Sequence, residues 1–234
     1  MMNVSDMRAQ LEADILWRLD EIRHLRNLLL QGEEPDRASV YSLRAILVMQ
    51  YAHLEGFTRT ALSLYVDAIN SQGLPAKSLR PELLAAALSG EFDTLRRGIP
   101  STGDEGKMTT RARHQIAFVQ RLRELNEGPI SIAAEVAVSM DMNLGSDVLK
   151  KCLVALGISV EKVKRDQYSA IDFVKNVRND IAHGGRKERI PGGLFSAHLK
   201  KCEEFMNELA RVLTRALSEK WFLVQAESGV TGTV

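Results

Sequence analysis

Leu11-Glu12-Ala13-Asp14-Ile15-Leu16-Trp17-Arg18-Leu19-Asp20-Glu21-Ile22-Arg23-His24-Leu25-Arg26-Asn27-Leu28-Leu29 decides the fold class. Leu11, Ile15, Leu19, Ile22, Leu25 and Leu29 recur every three or four positions, the spacing that gathers side chains on one face of an α-helix. Gln31-Gly32-Glu33-Glu34-Pro35-Asp36 ends it, because glycine permits the terminating turn and Pro35 disfavours helical geometry at Glu34. A second stripe follows, with Leu43, Ile46, Leu47, Tyr51, Leu54, Phe57, Leu62, Tyr65 and Ile69, and Asn70-Ser71-Gln72-Gly73 closes it. Two long helices joined by a short turn form an antiparallel hairpin, the start of a bundle.

The same periodicity returns near the other end. Tyr168, Ile171, Val174, Val177 and Ile181 mark a helix that must stop at Gly184-Gly185. Beyond the breaker Pro191-Gly192-Gly193, the residues Leu194, Leu199, Phe205, Leu209, Val212 and Leu217 give another long helix toward Trp221. The middle is less regular. Pro81 opens a short helix to Leu88, Glu91 to Arg97 is a weak further turn, and Ser101 to Gly106 has no apolar anchor and is expected to be a mobile loop. A basic helix, Arg111 to Leu125, is broken by Gly128-Pro129, and Ile130 to Val138 suits either a short strand or a helix turn. Ser146 is placed as the cap of a helix to Leu156, with Gly157 as its stop. The expectation is an all-α antiparallel bundle in a single domain. Its core helices lie at about 7–70 and 166–222, a mostly helical insertion at about 71–165, and a frayed tail at 227–234.

Composition narrows the class without naming a function. The chain has 234 residues, 45% hydrophobic and 26% charged, with a net charge of +1, as in ordinary globular proteins rather than disordered ones. No apolar run approaches the length of a membrane helix, and the first residues lack a secretory leader's apolar core, so neither membrane nor export is expected. Cys152 and Cys202 are too few for a disulfide scaffold or a cysteine-rich zinc site, and a reducing cytoplasm is the expected setting. The charge is unevenly spread. Residues 1–36 hold eight acids and four arginines, whereas 173–201 hold seven bases and two acids. A locally basic stretch in a neutral protein suits a confined polyanion site, or simply a solvated helix end.

Within that basic stretch stands Arg178-Asn179-Asp180-Ile181-Ala182-His183-Gly184. On a continuous helix Arg178 and His183 would point roughly 140° apart. The glycines after His183 allow the chain to unwind there, so that the imidazole can turn back toward Arg178. The pair suits RNA cleavage without a metal. Histidine moves a proton near neutral pH, and a guanidinium binds two phosphate oxygens as charge builds on them. Asn179 could orient either group or bond a ribose; Asp180 could pair nearby or cap. The plainer alternative is that Arg178 bridges to an acid on a neighbouring helix while His183 caps the last carbonyls. Walker-type, dinucleotide-binding and zinc motifs are absent from the sequence, so no cofactor and no metal are expected. On the second helix, Tyr51 and Glu55 share a face and His53 points elsewhere. Glu55 is an acid among apolar residues, which either pairs with a base or helps organise a site. His53 reads as a hydrogen-bonded core histidine, and Trp17, Phe57 and Tyr65 as core or dimer-interface aromatics.

Taken together, these residues resemble the HEPN superfamily, all-helical domains common among prokaryotic toxin and defence ribonucleases. Arg178, the polar Asn179 and His183 fit its signature. A Microcystis-type bacterial branch is similar over a longer ordered set. That set runs through Trp17-Arg18-x-x-Glu21-Ile22, then Tyr51-Ala52-His53-x-Glu55-Gly56-Phe57 with Tyr65, then Asn143-Leu144-Gly145-Ser146-Asp147-Val148-Leu149 and Leu156-Gly157-Ile158. The likeness covers about residues 11–220. It implies a metal-independent endoribonuclease acting as a homodimer, with Arg178 and His183 catalytic and Asn179 supporting them; Asp180 and Glu55, read from their own positions, are the further supporting candidates. It further implies RNA phosphates held by Arg186, Lys187 and Arg189, cyclic-phosphate products, and restraint by an antitoxin or triggering partner. A non-catalytic module that binds RNA, a nucleotide or a protein is the alternative.

Overall fold

In the computed structural model, which describes residues 2–96, 104–134, 143–185 and 188–224 (backbone alone at 104–109 and 126–127), the apolar stripes become helices. In chain order these are α1 (Val4–Leu30), α2 (Val40–Asn70), α3 (Pro81–Ala87), α4 (Ser89–Arg96), α5 (Asp104–Glu127), α6 (Ser146–Ala155), α7 (Arg165–Ala182) and α8 (Gly192–Ser218). No strand occurs among the described residues; the Pro75–Pro129 and Leu79–Leu223 pairs are isolated bridges. The chain is all-α, and no described helix is long and apolar enough to cross a membrane.

α1 begins with a reciprocal cap: the Asn3 side chain accepts the Asp6 N–H at 2.9 Å and the Asp6 carboxylate accepts the Asn3 N–H at 3.2 Å. Its end takes two left-handed residues, Gln31 at φ 51° as well as Gly32 at φ 83°. α2 is the centre of the fold and packs against α1, α7 and α8, while α8 also packs on α1 and α7. Tyr51, Phe57, Tyr65, Phe195 and Phe205 fill the space between them and are fully buried.

The described residues between 71 and 165 are mostly helical, with α3 packed on α6, α4 on α5, and α6 on α7. Three expectations are corrected. Asp104, Glu105 and Gly106 belong to the first turn of α5 rather than a loop; 101–103 lie outside the described residues. Ser146 is not the cap of α6. Gly145 holds that place, and the Ser146 N–H is satisfied by Asp172 Oδ1 of α7 at 2.8 Å. Gly192 and Gly193 do not break the chain but form the first turn of α8, after Pro191. The stretch after Pro129 begins extended: Ile130 donates to the Leu74 carbonyl at 2.9 Å, and the Asn70 side-chain amide brackets Ile132 with two bonds of 2.9 Å. Residues 135–142 and the tail 225–234 lie outside the described residues.

Candidate active site

α7 carries the Arg–Asn–Asp–His stretch. Ala170, Ile171, Val174 and Val177 are buried, which fixes the rotation of the helix and leaves Arg178 and Asn179 half-buried, with Asp180 and His183 exposed. Winding continues through Ala182; His183 closes the helix at φ −90°, ψ 5°, its N–H bonded to the Asn179 carbonyl at 2.9 Å. The reversal comes one residue later, at Gly184 with φ 73°. The unwinding expected at His183 therefore does not occur. Among the described residues no hydrogen bond, ion pair or ring contact joins the imidazole to Arg178, and the helical spacing keeps the two roughly 140° apart.

Arg178 is held on two sides. Its Nη1 donates to Asn179 Oδ1 at 2.9 Å, and its Cζ stands 4.8 Å from the centroid of the Tyr51 ring on α2. That is an arrangement in which the ring face attracts the cation. Glu55, one turn along α2, has its carboxylate 3.7 Å from Arg59. Burial raises the Glu55 pKa, and the charges of Arg59 and Arg178 offset this only in part. Among the described residues no carboxylate lies within ion-pair distance of Arg178, so no described acid forms the bridge considered for it. The guanidinium is positioned by an amide and a ring face, with the Glu55 charge acting on it and no ion-pair partner among the described residues.

The Tyr51 hydroxyl donates to Asn143 Oδ1 at 2.7 Å, with the Leu144 carbonyl at 3.4 Å. Burial, with a contribution from the Glu55 charge, pushes this phenol up to about 12. Tyr51 and Asn143 stood in the similar motifs, but the bond between them and the place of the Tyr51 ring against Arg178 are new. The available signal was a tyrosine on a buried stripe, whose hydroxyl needs a partner.

Arg189, expected to hold an RNA phosphate, is exposed and also makes a structural contact. Its Nη1 donates to the Asp36 carbonyl at 2.7 Å and the Pro35 carbonyl at 3.3 Å, tying the α7–α8 loop to the α1–α2 turn. Arg186 and Lys187 lie outside the described residues.

A second polar cluster sits on the other side of α2. Arg18, 9% exposed, pairs with Asp14 at 2.8 Å and reaches toward His53 Nδ1 at 3.5 Å. Glu21 lies 2.8 Å from His53 Nε2, and the Trp17 ring meets the imidazole edge-on at 5.2 Å. A Cβ at Gly56 would fall 2.7 Å from Arg18 Nη1, so glycine is what lets the guanidinium lie against α2. His53, without a visible partner in the sequence, receives its partners from α1. Trp17 is half-exposed, whereas Phe57 and Tyr65 are core. His198 stacks on Phe173 at 3.8 Å, and no group of three or more His, Cys, Asp or Glu among the described residues is placed to hold a metal.

The family model for MAE_28990-like HEPN proteins matches residues 7–222. No curated protein and no solved structure matches the chain. The matched span runs from α1 to the end of the bundle and includes Arg178, Asn179, His183 and both polar clusters. A helical bundle with this signature at the end of α7, matched over nearly its whole length, places the chain in the HEPN superfamily, in its MAE_28990-like family.

Proposed function

We propose that this protein is a metal-independent endoribonuclease of the HEPN type, a toxin or phage-defence effector acting in the cytoplasm as a homodimer. The observation that carries this reading is the Arg178 guanidinium, held by Asn179 and Tyr51 without an ion-pair partner among the described residues, with an exposed His183 at the end of the same helix.

The chemistry follows from those groups. A phosphodiester docks on Arg178, whose guanidinium binds the non-bridging oxygens and stabilises the phosphorane as its charge grows. His183 exchanges a proton with the ribose 2′-hydroxyl or the leaving 5′-oxygen, and the 2′-oxygen displaces the 5′-oxygen to leave a 2′,3′-cyclic phosphate. Because one chain directs Arg178 and His183 apart, a second copy supplies the complementary group across a composite cleft. The same separation favours a second reading, a non-catalytic module that binds RNA, a nucleotide or a protein. An antitoxin or triggering partner would restrain the active form.

The test is incubation of purified wild type, Arg178→Ala and His183→Ala with total cellular RNA in EDTA, resolving fragments and their 3′ ends. Wild type is expected to cut and leave cyclic-phosphate ends, and either substitution to lower the rate by about 10²–10⁴-fold while the dimer persists. Cutting that vanishes with chelator would sink the metal-free mechanism. Binding without cutting, unchanged in His183→Ala, would establish the second reading.

A further inference from the structure

Arg178 is a long side chain whose useful position depends on what it rests against. Its support does not come from α7 alone. The Tyr51 ring, 1% exposed and wedged in the core, carries the guanidinium at 4.8 Å, and the hydroxyl of the same ring is fastened to Asn143 at 2.7 Å. Asn143, Leu144 and Gly145 are the last residues of the inserted region before α6, so the ring under Arg178 is anchored to the insertion rather than to the bundle.

The same segment is clamped to α7 just before Arg178. Ser146 N–H bonds Asp172 Oδ1 at 2.8 Å, and Lys175 crosses Gly145 so closely that a Cβ there would fall 2.6 Å from its Nζ. Asp172, Lys175 and Asn179 are spaced to share one face of α7. A closed mechanical path results, running from Arg178 to Tyr51, to Asn143, through Gly145 and Ser146, and back to α7.

We propose that Tyr51 is a positioning residue for Arg178, and that the segment 143–146 sets the guanidinium's place by holding the Tyr51 hydroxyl. This rests on the ribonuclease reading for its effect on rate, but not for its effect on Arg178. A guanidinium displaced by an ångström or so from the phosphate would slow the chemical step far more than substrate capture. The insertion thereby acts on the site without touching RNA.

Two measurements test it together. The first is the side-chain Nε–Hε resonance of Arg178 in ¹⁵N-labelled protein, assigned by its disappearance in Arg178→Lys. Its ring-current shift is expected to persist in Tyr51→Phe, where the ring remains, and the resonance to broaden in Tyr51→Phe and Asn143→Ala alike, since each breaks the hydroxyl anchor and Asn143 does not touch Arg178. In Tyr51→Leu it is expected to move to the position of solvated arginines. An unchanged resonance in Asn143→Ala, or in folded Tyr51→Leu, overturns the proposal whether or not RNA is cut. If Tyr51→Leu does not fold, Asn143→Ala decides. The second is cleavage kinetics. Tyr51→Phe and Tyr51→Phe/Asn143→Ala are expected to lose kcat equally, by about tenfold, with KM little altered, because both break the same anchor. Additive losses, or a loss in KM alone, count against positioning. Absence of cleavage by wild type removes the ribonuclease reading and leaves the resonance to decide the support of Arg178.

Discussion

His53 lies between α2 and α1, and its titration is a stability term. From α1 it meets Asp14, Trp17, Arg18 and Glu21. Burial lowers its pKa below the ordinary 6.5; Glu21 and Asp14 oppose this, and Arg18 reinforces it. Since the folded value is the lower one, the unfolded chain takes up the proton first as pH falls. The contribution of the neutral imidazole is complete above 6.5 and is lost as pH drops through the window beneath it. Melting of wild type is therefore expected to fall more steeply than that of His53→Gln between about pH 7.5 and about pH 5.5. Parallel curves would show that His53 does not change protonation on unfolding. At Arg178 the residue-scale lesson differs: a cation is positioned by an aromatic face and an amide, with no ion-paired carboxylate among the described residues.

At the scale of elements, two helices are capped by side chains from elsewhere in the fold. α6 takes Asp172 from α7, and α8 takes Asp36 from the α1–α2 turn, whose Oδ1 accepts the Gly192 N–H at 2.7 Å. Pro191 offers α8 no side-chain cap of its own. A Cβ at Gly192 would lie 2.8 Å from the Asp36 backbone nitrogen, so the glycine is needed for close approach. Asp36→Ala is expected to cost about 1 kcal/mol, the usual worth of a helix cap. In a chain of this size that lowers Tm by about 2–4 °C, measurable by thermal denaturation. An unchanged Tm would mean that water replaces Asp36 at this end. The same aspartate receives Arg189 on its carbonyl, so Asp36 holds the chain at both Arg189 and Gly192.

For the whole molecule, the separation of Arg178 and His183 on one helix makes the second copy part of the proposed chemistry. Sedimentation at the concentration where RNA is cut is expected to show a dimer. Full activity from a monomer would require both groups from one chain, which the wound end of α7 does not bring together.

The helices and the Arg–Asn–His stretch were legible because each is local. Burial of one helix face imposes a repeat of three to four residues, seen from Leu11 to Leu29 and from Tyr168 to Ile181, and glycine or proline marks where backbone hydrogen bonding must stop. Arg178, Asn179 and His183 lie within six consecutive positions, so their chemistry could be weighed together. Where helix ends depend on partners the sequence misled, as at Ser146, whose N–H is satisfied by Asp172, and at Gly192, which Asp36 holds in the first turn of α8. What faces Arg178 was likewise out of reach. Tyr51, Asn143 and Glu55 come from α2 and from the segment before α6, and only the packing rotation of α2 against α7 determines which of their side chains share that space. A repeat of apolar residues specifies that a face is buried. Which distant face it meets, and so which polar groups are brought into contact, follows from how the helices interlock.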